Sequence, residues 1–249
     1  MMENPLHPFE LHSYGHLSLF GLDISLNKAV IMMWIIIALA AWFLIQAGRE
    51  RRLIPSRLQS IAEMLVEFLR GMIMDTIGKE GMRFFPFIGT LFIFILFSNL
   101  LGLIPGSYTV TSQIVVTAAF ALFVYTMSIV VGFAYHGIKF FGILIPPGTP
   151  TLLLPLMMPI EVISQLARPL ALAVRLFANM TAGHTILAVL FGMALSLPLL
   201  IGWLPFAFTI AISGLEVGIA FIQAYIFTIL TCVYLGDAIN LHGHSEGAH

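Results

Sequence analysis

From residue 84 to residue 237 the chain carries only six charged side chains: Lys139, Glu161, Arg168, Arg175, Glu216 and Asp237. Long apolar runs surround them. A charge at the centre of a membrane helix costs roughly 2.5–3.5 kcal/mol on insertion scales, so charges kept there mark ion or proton pathways by default. His184 lies in the same region, and imidazole is the side chain that titrates nearest neutrality. Carboxylates and an imidazole that exchange protons, together with a guanidinium that does not, are the chemistry on offer.

Their spacing is informative. Two long apolar segments, 160–197 and 205–238, are separated by Pro198 and Pro205. Paired as an antiparallel hairpin, they place Arg175 level with Gln223, His184 level with Glu216, and Glu161 level with Asp237. Arg175 and His184 are nine residues apart, about 13.5 Å along a helix. At about 100° per residue, Glu161, Ser164, Arg168, Arg175 and Asn179 share one narrow stripe with Ala171, Ala178 and Ala182. Small residues let another helix approach closely in lipid, so this polar, flat face suits a partner, with Arg175 projecting into the contact. His184 points the opposite way, toward the companion helix.

The elements that must position these residues follow from composition. Of 249 residues, 59% are hydrophobic and 9% charged, against roughly a quarter charged in a soluble domain. The mean hydropathy is +1.01. A soluble enzyme, a disordered chain and a nucleic-acid binder are excluded. The net charge of −1 nominates neither a polyanion nor an acidic substrate as partner. A single cysteine, Cys232, excludes an internal disulfide framework.

Residues 29–47 hold no charge over 19 residues, about what an α-helix needs to cross the hydrocarbon core. The run is too long and starts too late for a signal peptide, and it follows an acidic rather than a basic segment. Residues 84–138 contain no charge and allow two spans, near 84–103 and 113–134, broken by Leu103–Thr109. After the Pro-rich stretch at Pro146, Pro147, Pro150, Pro155 and Pro159 comes the long hairpin. Its first segment of 38 residues would reach about 57 Å, nearly twice the hydrocarbon thickness, so it must tilt steeply or bend. The expected architecture is a single all-α membrane domain: an N-terminal segment 1–27, five spanning helices with the last two long, tilted and paired, and a tail 239–249.

Seven of the eleven basic residues, Arg49, Arg51, Arg52, Arg57, Arg70, Lys79 and Arg83, fall in 48–83, and Lys139 follows the third span. Both loops therefore belong inside, the N-terminus outside and the C-terminus inside. The uncharged connections at 104–112 and 198–204 fall outside. Segment 56–79 places Leu58, Ile61, Leu65, Phe68, Leu69 and Met72 opposite Gln59, Glu63, Glu67 and Arg70. This is an amphipathic helix in the interface plane, either a surface anchor or a docking face. Ser56 and Gln59 offer it a capping box.

Each polar residue also has a purely structural use. Arg175 could pair within the chain, although its level-mate is neutral, and His184 could be a packed, hydrogen-bonded histidine. Arg168 and Asp237 lie near the inner interface, where snorkelling explains them. Asn99, Asn179 and Gln223 could be interhelical hydrogen-bonding groups. His242, His244 and His249 read as a solvated tail. No metal site and no cofactor site is expected. A secondary transporter would show inverted repeats, an intramembrane protease its metal or nucleophile motif, and a haem carrier paired core histidines; none of these patterns is present.

The run Arg175-Leu-Phe-Ala-Asn-Met-Thr-Ala-Gly183, with Arg168-Pro169 before it and Ile222-Gln-Ala-Tyr-Ile-Phe-Thr-Ile-Leu-Thr-Cys-Val-Tyr-Leu235 after it, closely resembles the subunit a family of the rotary (F-type) ATP synthase membrane sector. The Asn-Pro-Leu-His-Pro-Phe-Glu-Leu-His run at residues 4–12 and Ser98-Asn-Leu-Leu-Gly-Leu-Ile-Pro105 are similar to it too. The resemblance implies a stator that passes protons through two offset half-channels, and a multi-pass place in an energy-coupling membrane, a bacterial inner membrane ahead of a mitochondrial one. It implies as partners a ring of c subunits, peripheral-stalk b-type subunits and the bilayer.

By the same resemblance Arg175 faces the ring carboxylates, with Gln223 and Asn179 beside it. His184 and Glu216 match the outer half-channel pair, with the acid and histidine exchanged relative to many bacterial members. Glu161 and Ser164 match inner half-channel positions, and Asp237 falls on that side. Ala171 and Ala178 stand where relatives often have Ser and Gly. ATP chemistry is expected elsewhere, since no Walker-type Gly-rich loop is present.

Overall fold

The computed structural model describes residues 18–19, 22–23, 28–49, 56–104, 110–138, 140 and 154–240. Six α-helices carry the fold: α1 (Lys28–Arg49), α2 (Arg57–Thr76), α3 (Phe85–Gly102), α4 (Ile114–His136), α5 (Leu154–Ser196) and α6 (Leu199–Ile239). Five of them, all but α2, are long and apolar enough to cross a membrane. A small antiparallel ribbon pairs β1 (Ser18–Leu19) with β2 (Leu22–Asp23). Residues 4–12, Arg51 and Arg52, residues 105–109, Lys139, the prolines at 146, 147 and 150, and the tail histidines lie outside the described residues.

The helix ends explain themselves locally. Pro86 stands in the first turn of α3, where a missing N–H costs nothing. Gly78 closes α2 with φ of 88° and donates to Ile73 O at 3.2 Å, a left-handed C-terminal stop that favours glycine. The expected capping box at α2 is half made. Ser56 Oγ accepts from Gln59 N at 3.4 Å, but the Gln59 side chain donates forward to Glu63 Oε1 at 2.8 Å instead of reaching back.

Both hairpin helices begin earlier than the prolines suggest. α5 starts at Leu154, with Pro159 and Pro169 inside it, and α6 starts at Leu199 with Pro205 inside it. A proline removes one intrahelical hydrogen bond, and in lipid no competing solvent rewards leaving the helix. Thr209 Oγ1 donates to the Pro205 carbonyl at 2.9 Å.

Between helices in lipid the association comes from close packing rather than from water release. The centre is formed by α3 and α6, with Ile88, Leu91, Phe92, Ile95 and Leu96 against Ala224, Phe227 and Leu235. Leu172 and Leu176 of α5 and Val124 and Val131 of α4 complete it. α1 is peripheral: Trp34, Ile35, Trp42 and Ile45 are exposed.

Two segments are packed unevenly. α2 does not bury its whole apolar face: Leu69 and Met72, joined by Ile73, are buried, while Leu58, Ile61 and Phe68 are exposed. Its second half packs against α3 and α6, and its first half lies beside the end of α1. Phe68 meets Tyr225 with ring centroids 5.9 Å apart, and a Cβ on Gly236 would lie 3.3 Å from Thr76 O, so α2 runs in the same direction as α6 along its last third. In the α3–α4 connection the 3-10 turn Val110–Ser112 is buried and packed among α3, α4 and α5.

Candidate functional site

One face of α5 looks inward and the other does not. Leu172, Ala173, Leu176 and Met180 are buried against the bundle. Ala171, Arg175, Ala178, Asn179 and Ala182 are exposed on the opposite side, as a stripe of period near 3.6 requires. The Arg175 side chain forms no ion pair and no hydrogen bond with any described residue. Its guanidinium projects from a face of alanines, with no acidic partner among the described residues.

At one end of this face Glu161 and Ser164 are half-buried, and Gln165 Nε2 donates to Glu161 Oε1 at 3.4 Å. Arg168 is exposed one turn further on, within electrostatic reach of the Tyr234 phenol, as is Asp237. Arg168 of α5 and Asp237 of α6 thus both act on the Tyr234 phenol, while the Glu161–Gln165 bond stays within α5. At the end of α6, His136 Nε2 lies 2.9 Å from the carbonyl of Ile239, and Asn240 Nδ2 donates to Ile77 O at 3.2 Å. Backbone carbonyls at a helix C-terminus lack intrahelical partners, and these side chains supply two.

On the inner face the level-matching of the hairpin has a physical counterpart. Gly183 of α5 packs directly against the carboxylate of Glu216 on α6, and a Cβ at Gly183 would overlap Glu216 Oε1. His184, the next residue, is half-buried and partnered. Glu216 is 6% exposed, and neither of its carboxylate oxygens has a hydrogen-bond partner among the described residues. Two turns along α6, Gln223 is 5% exposed with Oε1 likewise unpartnered. Gln223 therefore belongs to the buried side of the hairpin, whereas Arg175 and Asn179 belong to the open side.

Several polar residues carry no charge and so escaped the reading of intramembrane charges. Asn99, fully buried in α3, donates from Nδ2 to Ala220 O at 3.4 Å and accepts from Thr111 Oγ1 at 3.0 Å. It is a hydrogen-bonding tie between α3, the buried turn and α6, one of the two uses open to it. Asn179 is exposed and has no such tie. Ser98 of α3 and Thr181 of α5 have buried hydroxyls with no hydrogen-bond partner among the described residues. Only their small polar type within apolar helices signals them.

Comparison with known proteins places the chain among relatives. Residues 30–236 match the family model described as ATP synthase A chain. The ATP synthase subunit a of Rhodospirillum rubrum is 48% identical over 241 residues, covering 97% of this chain and 100% of that protein. That of Magnetococcus marinus is 49% identical over 243 residues, covering 96% of this chain and 94% of that one. The Pelagibacter ubique protein of the same name is 44% identical over 244 residues, covering 97% and 100%.

Proposed function

The chain belongs to the ATP synthase A chain family, and on that premise we propose that it is the stator subunit through which protons cross the membrane to drive rotation and ATP synthesis. It is a multi-pass membrane component of the complex and not its catalytic part. In this reading a ring of small c subunits turns past the open face of α5, peripheral-stalk b-type subunits hold the chain still, and α2 with both ends of its flanking loops lies inside. The N-terminus is outside and the C-terminus inside.

What carries the reading is the exposure of Arg175 on a face of alanines, without an acidic partner among the described residues. A proton entering from outside passes His184 and Glu216 and neutralises a ring carboxylate, which can then face lipid without the cost of a buried charge. Rotation brings the carboxyl round to Arg175. The guanidinium's field favours the ionised form, so the proton leaves toward Glu161, Ser164 and Asp237. The fixed positive charge also stops protons from passing directly between the two half-channels, while Asn179 stands beside it on the open face and Gln223 lies at its level on the buried side of the hairpin. Each elementary charge is driven by about 2.3 kcal/mol per 100 mV, so several crossings serve each ATP.

The test is ATP-driven acidification of inverted membrane vesicles carrying Arg175→Ala, with immunoblotting to show that the complex assembles. Loss of pumping in an assembled complex is the expected result. Pumping at the wild-type rate would return Arg175 to a structural role.

A further inference from the structure

We infer that the cavity between the end of α1 and the facing side of α2 seats the headgroup of a phospholipid with a primary amine, phosphatidylethanolamine, with Glu63 and Glu67 taking the ammonium and Arg70 the phosphate. The inference concerns how the chain is held in the bilayer and does not depend on how protons cross it.

The cavity has a volume of about 420 Å³, within the range of small-ligand sites. Leu44, Ala47 and Gly48 line it from α1, and Gln59, Glu63, Val66, Glu67 and Arg70 from α2. The α2 residues recur at spacings of three and four, which places them on one helix face. That face is the hydrophilic side of an amphipathic helix, and it fronts the end of a membrane helix. Arg49, Arg51 and Arg52 follow α1 directly in the sequence, so the cavity lies where a span ends, at the level of lipid headgroups.

The charges around it are not neutralised from within. Gln59 Nε2 donates to Glu63 Oε1 at 2.8 Å, and Gln59 Oε1 is buried with no hydrogen-bond partner among the described residues. Glu67 and Arg70 form no ion pair with a described residue, and both are exposed, as is Glu63. Carboxylates only accept and a guanidinium only donates. The set therefore suits a ligand with a donor cation at one end and an acceptor anion at the other. Glu67 and Arg70 are three residues apart, which puts their Cβ atoms about 5–6 Å from each other on a helix. An ammonium and a phosphate joined by an ethylene link match that spacing, and arginine pairs with phosphate through two charge-assisted hydrogen bonds.

Other headgroups fit less well. Choline is recognised over aromatic rings, and no described residue lining the cavity is aromatic. A quaternary ammonium also has no N–H to give Glu63, Glu67 or Gln59 Oε1. A headgroup with net negative charge meets two carboxylates for one guanidinium and is repelled. The acyl chains have a path of their own: Ile37, Ala41, Leu44 and Gly48 are exposed and lie on one stripe of α1, leading from the cavity into the hydrocarbon. A membrane helix of a partner could cover the same stripe, but it would leave the paired demands of Glu67 and Arg70 to chance.

The test uses the purified complex in nanodiscs of phosphatidylethanolamine and phosphatidylcholine, doped with a trace of one lipid that carries a photoreactive diazirine on an acyl chain. Mass spectrometry of the labelled peptides then reads which lipid lies along residues 37–48. The ethanolamine lipid is expected to label this stretch about tenfold more than the choline lipid, the equivalent of about one hydrogen bond to a charged group. Glu67→Gln and Arg70→Gln should each remove most of that preference. Glu80→Gln, the same loss of charge outside the cavity, should leave it intact. Glu67→Lys should turn the preference toward phosphatidylglycerol, a reversal that loosened packing does not produce. Equal labelling by the ethanolamine and choline lipids, or a preference indifferent to Glu67 and Arg70, overturns the inference. A partner's helix filling the cavity in an experimental structure of the complex overturns it too. These α2 positions are exposed, where substitutions rarely disturb folding; if the variants nevertheless fail to assemble, the wild-type preference and the experimental structure decide.

Discussion

Gly183 lies against Glu216 so closely that a Cβ at position 183 would sit 2.9 Å from the Glu216 carboxyl carbon. The absence of a side chain on α5 is therefore what allows a carboxylate on α6 to occupy its buried place beside the His184 turn.

Gly183→Ala opposes two effects. Alanine gains about 1 kcal/mol of helix propensity over glycine, while overpacking in a filled site costs about 1–3 kcal/mol. The carboxylate can yield by swinging aside, which keeps the fold and displaces the group proposed to carry the proton. The expected outcome is an assembled complex whose ATP-driven acidification falls at least about tenfold, as misplaced functional groups usually do. Wild-type pumping by Gly183→Ala would show that the position of Glu216 is not critical.

Arg175→Lys keeps a positive charge but replaces a planar fork of donors by a compact, strongly hydrated ammonium. If Arg175 meets a carboxylate of the ring, the lysine variant should assemble normally and pump at least about tenfold more slowly. Full activity with lysine would mean that charge alone matters at this position.

Asn99→Ala removes both hydrogen bonds of the α3–α6 tie. Interhelical hydrogen bonds within membranes average about 0.6 kcal/mol, so the loss of two should lower the unfolding temperature of the purified complex's membrane part by about 2–4 °C. Intrinsic fluorescence during a thermal ramp measures this, and an unchanged transition would show that packing alone holds α3 on α6.

His136→Ala withdraws a partner from the Ile239 carbonyl at the end of α6. The expected effect is local: faster amide deuterium exchange over residues 236–240, by about tenfold, with α3 unchanged. Faster exchange throughout α6 would mean that His136 supports more than the last turn.

The membrane architecture was legible because charge is costly in lipid. The charge-free run at 29–47 corresponds to α1 (Lys28–Arg49), and the two spans placed at 84–103 and 113–134 correspond to α3 and α4 within a few residues. The starts of α5 and α6 were less legible, since Pro159 and Pro205 suggest breaks that the apolar environment overrides. The open face of α5 followed from periodicity alone, and the side chains of Ala171, Arg175, Ala178 and Asn179 are exposed together. What sequence could not convey was tertiary register among uncharged groups. Nothing in the residue type of Gly183 announces a carboxylate against it. Thr111 and Ser112 resemble any polar loop, and their burial depends on how three helices close around the turn.

The length of α5 has a geometric consequence. Its 43 residues make a rod of about 64 Å, and a rod kept within the roughly 45 Å of a bilayer with its headgroups leans by at least about 45°. Along such a ramp, the nine-residue step from Arg175 to His184 separates them by about as much sideways as in depth. In the proposed stator, a passenger moving between these two levels would travel round as well as down, and the slope of a single helix would act as a screw thread that turns displacement along the membrane normal into circumferential motion.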